Sequence, residues 1–482
     1  MNRRDFLVQS SQLAAASALT GRQMFADDTP EARPNIIWLI ADQWRAQAVG
    51  VNGDPNVLTP NVDRLATAGV NFQMARSNFP VCVPFRGTML TGIYSHLMVP
   101  GHDYPLPKGQ KTIADVFNDA GYHTGYFGKW HLDGFCERYG SPVKNIVPPD
   151  QRGNFQTWLG YENNNSQWDT WVHGGSGKDA FQYKLPGYET DSLTDLFIKH
   201  IEERGADLKT GKGKPFFGVL SVQPPHNPYM APARFMGRLN AEQLRLRANV
   251  PPYPKVEEEA RQQLAGYYAQ IENWDWNIGR IVDALNQQGI YSNTHIMIFA
   301  DHGNMLGSHG QWLKENPYEE SSRTPMIVSG YRAFYGYGAG TRDTLFSTVD
   351  IAPTTLGLCG LTPPDWMQGH DYSSRRLLSK PHQPDPDSMY MEVVAPSMHA
   401  DSIDEPYRGL VTQDGWKYVC FHNQSWLMFN LNEDPYELTN LAFNTKYDKE
   451  RAALINRLKQ WIVDTKDNFV VPDPNYPPRA RC

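Results

Sequence analysis

A chain of 482 residues, 40% of them hydrophobic, can bury a large core and usually holds more than one domain. Its formal net charge of −7 argues against a general nucleic-acid binder. No apolar run after the N-terminus is long enough to span a bilayer stably, and no internal repeat or low-complexity tract is present.

At the N-terminus, Asn2-Arg3-Arg4-Asp5-Phe6-Leu7 resembles a twin-arginine export signal. A weakly apolar stretch, Val8 to Leu19, follows, and Ala26 before Asp27 offers a cleavage point. Residues 1–26 are therefore expected to be a signal peptide, the twin-arginine export machinery a partner, and the protein periplasmic or secreted. Five cysteines, Cys82, Cys136, Cys359, Cys420 and Cys482, form no CxxC pair or zinc spacing. Folding before export takes place in a reducing compartment, which disfavours disulfides.

The apolar run Asn35 to Ala41 predicts a buried parallel strand. It ends in Asp42-Gln43. An acid there either caps a following helix or, in an open α/β sheet, faces the carboxyl edge where ligands and metals gather. Thr59 to Ala66 predicts a loop entering a short helix. Beyond the loop Ser77 to Pro80 comes Val81-Cys82-Val83-Pro84-Phe85-Arg86-Gly87-Thr88-Met89-Leu90-Thr91-Gly92. Pro84 suits the first turn of a helix. Cys82 then lies at that helix's N-terminus, where backbone N–H groups favour an anion.

The Cys82-x-Pro84-x-Arg86 string, with Thr91-Gly92 behind it, resembles the sulfatase signature. In that family the Cys is oxidised after translation to formylglycine, whose hydrate attacks sulfur. The resemblance implies a formylglycine-generating enzyme acting on Cys82, and folding before export suits modification in the cytoplasm. Sulfatases also begin with a strand ending in paired acids that bind a metal. Here the second position is Gln43, whose amide oxygen can coordinate but brings no charge. An Asp-Gln start also occurs in some sulfatase relatives and in phosphonate monoester hydrolases.

Thr112 to Phe117 predicts an amphipathic helix stopped near Gly121. His123 to His131 predicts a strand running into a loop, with Lys129 and His131 pointing the same way. The Gly-Lys-Trp-His string matches the sulfatase pattern, which implies that Lys129 binds the aldehyde-derived oxygen and the sulfate. His131 would help collapse the covalent sulfate ester. Asn154 to Gly187 reads as irregular and aromatic, with Trp158, Tyr161, Trp168, Trp171, Phe181 and Tyr183. These rings either fold back on the domain or form a sugar-stacking rim.

Lys214 to Val222 predicts another core strand, followed by Pro224-Pro225-His226-Asn227-Pro228. This resembles the family's Pro-His-x-Pro element, which implies that His226 binds sulfate and protonates the leaving oxygen. Tyr267 to Asn286 carries a strong helical stripe that Gly289 is placed to end. His295 to Ala300 predicts a strand ending in Asp301-His302-Gly303. In the stretch Leu306 to Glu315, the family pattern places Lys314 on the sulfate, with His309 holding the loop. Glu319 and Arg323 read as structural. Val349 to Thr354 begins a late core helix, and residues 381–388, rich in Pro and Asp, read as a linker. Short strands and a helix from Lys449 to Asp464 follow, resembling the small C-terminal sulfatase subdomain. The resemblance runs from about Pro34 to near Val463.

The expected architecture is α/β: a large mixed, mostly parallel sheet flanked by helices over residues 27–380, alkaline-phosphatase-like. A small C-terminal α+β subdomain is expected over residues 389–482. The resemblance implies one divalent cation on Asp42, Gln43, Asp301 and His302, with Cys82 facing it. Oxygen ligands favour calcium, and the His302 imidazole leaves room for manganese or zinc. Arg86, Lys129, His131, His226 and Lys314 would surround a small tetrahedral anion. One hydroxyl of the formylglycine hydrate would attack sulfur while Asp301 accepts its proton. His226 or Lys314 would then protonate the leaving alcohol, and the second hydroxyl would expel sulfate with His131's help.

The expected function is release of sulfate from a sulfated carbohydrate. Alternatives are an arylsulfatase or choline-sulfatase-like enzyme acting on small sulfate esters, and a phosphonate monoester or phosphodiester hydrolase using the same nucleophile. A non-catalytic carbohydrate-binding relative would require a missing site residue, and none is missing.

Overall fold

The computed structural model describes residues 33–136, 140–331, 338–397 and 403–475. The expected signal peptide and Cys482 lie outside the described residues. Pro34–Cys482 forms one compact unit.

Its main element is a ten-stranded sheet in the order β10-β2-β9-β8-β1-β7-β3-β4-β5-β6. The strands are β1 (Asn35–Ala41), β2 (Val70–Phe72), β3 (His123–Lys129), β4 (Thr157–Tyr161), β5 (Trp171–Gly174), β6 (Phe181–Lys184), β7 (Phe216–Val222), β8 (Thr294–Ala300), β9 (Met326–Gly330) and β10 (Gly340–Arg342). Strands β8, β1, β7, β3 and β4 run parallel. Antiparallel pairings of β9 with β8 and β2, and of β5 with β4 and β6, make the sheet mixed.

β1 is buried along its whole length because each face of the sheet carries its own apolar layer. Ile37, Leu39 and Ala41 pack with Leu193, Phe197 and Ile201 of helix Glu189–Lys209, and with Tyr267, Ile271 and Trp274 of helix Pro254–Gln288. Ile36, Trp38 and Ile40 pack on the other face with Phe85, Met89 and Leu90, and with Ile113, Phe117 and Leu356. The continuous apolar run in the sequence is thus the mark of a strand covered on both sides.

Helix Cys82–Thr91 begins at Cys82 and ends at Gly92, whose φ of 68° a side chain would resist. Thr112 and Asp115 form a capping box on helix Ile113–Asp119. The helix expected from Tyr267 begins earlier, at Pro254. Proline suits a first turn, and Ala260 and Leu264 extend the buried stripe back toward it.

The stretch Asn154 to Gly187 is not irregular throughout: it holds β4, β5 and β6, which complete one edge of the sheet. These strands are short and broken by Asn and Gly, so their alternation is hard to see in sequence. Trp158 and Tyr161 are core residues of β4.

A second, antiparallel sheet has the order β11-β12-β13-β14, with β11 (Ser388–Val393), β12 (Tyr407–Thr412), β13 (Trp416–Phe421) and β14 (Gln424–Asn430). Leu454, Ile455 and Leu458 of helix Asp448–Asp464 pack against Leu410, Tyr418 and Met428. Phe79 and Val81, just before Cys82, pack on the same sheet with Val393, Tyr407 and Val419. Among the described residues no helix is long and apolar enough to cross a membrane.

Candidate active site

Strand register gathers residues that are far apart in sequence. Ala41 pairs with Ala300 on one side and Val222 on the other. The turns after β1 and β8 therefore lie side by side, and they carry Asp42-Gln43 and Asp301-His302. The Gln43 and His302 amides both donate to Asp301 Oδ1, each at 2.9 Å. This is the carboxyl edge of the parallel core, where open α/β sheets bind ligands. β7 leads into the His226 loop. β3 ends in Lys129 and the His131 turn, where His131 has a φ of 57°.

Helix Cys82–Thr91 aims its N-terminus at this edge. Cys82 Sγ lies 3.1 Å from His302 Nε2, 3.6 Å from Asp42 Oδ1 and 3.7 Å from Lys314 Nζ. Arg86 sits one helical turn on, on the same face. Its Nη1 donates to Lys129 O and Ser221 Oγ, both at 2.9 Å. Its Nη2 reaches Asp42 Oδ2 at 3.3 Å and Asp301 Oδ2 at 3.4 Å. Lys129 Nζ donates to Asp42 Oδ2 at 2.6 Å. Lys314 Nζ is 3.0 Å from both Gln43 Oε1 and His226 Nε2. The structure thus brings every site residue named from sequence to one place. His131 is the most peripheral: it lines the pocket with its ring 5.1 Å from that of His102.

Burial sets the protonation states. It opposes charge on Asp42, but the Lys129 and Arg86 cations outweigh it and hold that carboxyl well below the usual range. Burial, then the Asp42 charge, pushes Asp301 up to about 7. Burial lowers His302 and His226, and Lys314 adds to the effect on both. Burial and then Lys129 lower His131. Burial, reinforced by Asp42, pushes the Cys82 thiol up to about 12, so as cysteine it is a weak nucleophile. The imidazoles are therefore neutral. His302 Nδ1 faces Gly303 O at 2.9 Å, which leaves the Nε2 lone pair toward the carboxylates.

One ligand atom each from Asp42, Cys82, Asp301 and His302 lies within 4.8 Å of the others. Two buried carboxylates, of which Asp42 raises the pKa of Asp301, plus an outward imidazole lone pair, are a donor set that suits a divalent cation. Gln43 Oε1 accepts from Lys314, so a cation would share that oxygen with the lysine.

Above the cluster is a cavity of about 240 Å³ lined by Cys82, Lys129, His131, His226 and Lys314, and by His102, Asn163, Asn165, Asn227 and Leu313. Sequence reasoning did not single out this second set. Asn227 was within reach, because it sits inside the Pro-His-Asn-Pro string. Asn163 and Asn165 lie in the stretch Asn154 to Gly187, whose amides could serve sugar hydroxyls, but nothing in the sequence marks these two from the other Asn and Gln residues there. None of the aromatic side chains between Asn154 and Gly187 lines the cavity. The Trp168 ring packs on Tyr188 at 4.8 Å, and Lys144 lies over Trp171 at 5.0 Å.

A mixed sheet with carboxylates, imidazoles and buried cations gathered at its carboxyl edge has the architecture of a hydrolytic enzyme. The family model described as Sulfatase matches residues 34–361, and one described as N-sulphoglucosamine sulphohydrolase, C-terminal, matches residues 307–464. An ulvan-active sulfatase of Formosa agariphila is 30% identical over 456 residues, covering 91% of this chain and 82% of that protein. An endo-4-O-sulfatase of Bacteroides thetaiotaomicron is 30% identical over 467 residues, covering 85% and 88%. A Bacteroides fragilis crystal structure assigned as a sulfatase superposes with a TM-score of 0.79 at 27% identity, covering 92% of this chain and 98% of that one. The chain belongs to the sulfatase family and is a sulfuric ester hydrolase.

Proposed function

We propose that this sulfatase releases sulfate from a sulfated carbohydrate. Its catalytic residues are Cys82, Arg86, Lys129, His131, His226 and Lys314. The observation that carries the reading is the convergence of Lys129 and Lys314, both buried, on the Cys82 end of a small pocket, with the buried Arg86 guanidinium behind them on Asp42 and Asp301. Donors fixed in place before substrate arrives, in a water-poor site, favour a small tetrahedral anion. The carbohydrate part is supported by relatives named for ulvan and for 4-O-sulfate, and by the amides of the pocket wall.

Asp42, Asp301 and His302, with Gln43, would hold one divalent cation, which when bound polarises a substrate oxygen. Two carboxylates and an amide oxygen favour calcium, and the imidazole leaves room for manganese or zinc. Cys82, converted to formylglycine by a formylglycine-generating enzyme, would supply a hydroxyl nucleophile in place of the thiol.

The other roles follow from positions. Arg86 and Lys129 neutralise the two carboxylates and keep Asp42 Oδ2 in place. Asp301 offers a carboxylate within 4.8 Å of Cys82 Sγ to take a proton. Lys314 Nζ stands between Cys82 Sγ and His226 Nε2, where it holds a sulfate oxygen and a proton for the departing oxygen. His226 Nδ1 is engaged by Asn227 O at 2.8 Å, so its Nε2, 3.0 Å from Lys314 Nζ, is placed to relay that proton. His131 Nδ1 is buried and makes no hydrogen bond, so it can take the proton that sulfate expulsion requires. The Arg3-Arg4 segment supports export to the periplasm or beyond.

Hydrolysis of a panel of sulfated mono- and oligosaccharides, 4-nitrophenyl sulfate, choline sulfate and a phosphonate monoester, read as released sulfate or, for the last, released alcohol, tests the reading. At least one sulfated sugar is expected to have the highest kcat/KM. Faster turnover of an aryl, choline or phosphonate ester than of every sugar would overturn the carbohydrate assignment.

A further inference from the structure

The cavity has two unlike halves. Cations and the nucleophile position form the floor, and His102, Asn163, Asn165, Asn227 and Leu313 form the wall. Among the described residues that line it there is no carboxylate and no Phe, Tyr or Trp. A wall of this kind repels no anion, stacks no aryl ring and offers several amides, each both donor and acceptor.

The wall is held rigidly from behind. In the loop after β4, Glu162 and Asn164 make the anchoring hydrogen bonds while Asn163 and Asn165 line the cavity. Glu162 accepts from Leu132 N at 3.2 Å and Asp133 N at 2.9 Å. Asn164 Nδ2 donates to Ser166 O at 2.7 Å and Thr170 Oγ1 at 2.8 Å. The neighbouring loop is tied to this one: Gln167 Nε2 donates to His226 O at 3.2 Å and Pro228 O at 3.1 Å, flanking Asn227. Gln270 Nε2, from the long helix, donates to Pro228 O at 3.1 Å. Held in this way, the amides of Asn165 and Asn227 make no hydrogen bond to the described protein residues and face the cavity.

Size limits the occupant. At about 240 Å³ the cavity lies below the roughly 300–1,000 Å³ usual for drug-sized ligands. It has room for a sulfate group and one ring. Leu313, held at a φ of 57°, adds a single apolar contact for a C–H face.

We propose that Asn163, Asn165 and Asn227 form the leaving-group seat, which reads the hydroxyls of the one sugar ring bearing the scissile sulfate. This rests on the carbohydrate reading above. Discrimination comes from amide–hydroxyl hydrogen bonds and not from ring stacking. A substrate lacking a hydroxyl beside the sulfate forgoes that hydrogen bond and is turned over more slowly.

The test compares wild type, Asn165→Ala and Asn227→Ala on monosulfated hexoses, on their deoxy analogues lacking one hydroxyl next to the sulfate, and on 4-nitrophenyl sulfate. Each variant is expected to lower the sugar-to-aryl ratio of kcat/KM about tenfold, as for one lost hydrogen bond. A deoxy analogue that wild type discriminates against should be discriminated against less by the matching variant, the signature of a coupled pair. Thermal melting confirms that each variant folds, and Asn165 is solvent-exposed at its surface side. An unchanged sugar-to-aryl ratio in both folded variants overturns the seat and leaves the carbohydrate reading standing. Turnover of 4-nitrophenyl sulfate with no wild-type turnover of any sugar overturns both.

Discussion

Two buried charge clusters in this molecule are built from the same residue types and do opposite things. At the junction with the C-terminal sheet, Lys417 Nζ donates to Pro317 O at 2.9 Å, Glu319 Oε1 at 2.8 Å and Glu437 Oε1 at 2.7 Å. Arg76 grips both oxygens of Glu319, at 2.9 and 2.8 Å. All three Lys417 protons are used and both Glu319 oxygens are matched, so the Lys417–Glu319–Arg76 core has nothing to offer a ligand. At the carboxyl edge of the large sheet, Lys314 reaches only an amide oxygen, a neutral imidazole and the Cys82 sulfur, and no carboxylate. There Asp42 and Asp301 crowd one another. Complete pairing marks a structural cluster, and charge left facing a cavity marks a functional one.

Breaking the catalytic cluster at its nucleophile should have the largest effect. Cys82→Ala is expected to lower sulfate release to below about one-thousandth of wild type with an unchanged circular dichroism spectrum, since the side chain makes no structural hydrogen bond outside the site. Retained activity would place the nucleophile elsewhere. Next comes the cation. Asp301→Ala removes one of two carboxylates from the set, so elemental analysis should find bound metal well below stoichiometric. Activity should fall on the order of 10³-fold, and chelation should inhibit wild type. Unchanged metal content would remove Asp301 from the site.

The junction should respond in the other currency. Lys417→Met leaves Glu437 without its cation in the interior, beside a Glu319 that keeps Arg76, at a cost of about 3–5 kcal/mol. The thermal midpoint should drop by several degrees while kcat below the melting range changes less than about threefold. A variant as stable as wild type but inactive would mean that this cluster serves catalysis after all.

Much of the site is legible in the sequence because each part has a local signature. Asp42 and Asp301 follow uninterrupted apolar runs, and Cys82, Lys129 and His226 stand in strings specific enough to read alone. What sequence could not supply is what tertiary pairing decides. The register of Ala41 with Ala300 sets the carboxylates side by side. Ser221, which holds the Arg86 guanidinium, is one polar residue in a strand that otherwise reads as core. Glu319 and Arg323 did read as structural, but their partners, Arg76 and Lys417, lie about a hundred residues or more from Glu319 in the chain. The aromatic stretch misled for a physical reason: four- and five-residue strands broken by Asn and Gly resemble loop, and Trp158 and Tyr161 serve the core rather than a sugar. The asparagines that line the cavity are the residue type that turns also favour, so only the fold separates the two uses.

The most direct test of the account is to measure, in the same preparations, the fraction of chains carrying formylglycine at position 82 and the rate of sulfate release. Mass spectrometry of the peptide spanning Val81 to Arg86 reports the first as loss of sulfur and gain of a carbonyl. Preparations made with different amounts of formylglycine-generating enzyme should fall on a straight line through the origin. Full activity in protein carrying only the Cys82 thiol would contradict the account.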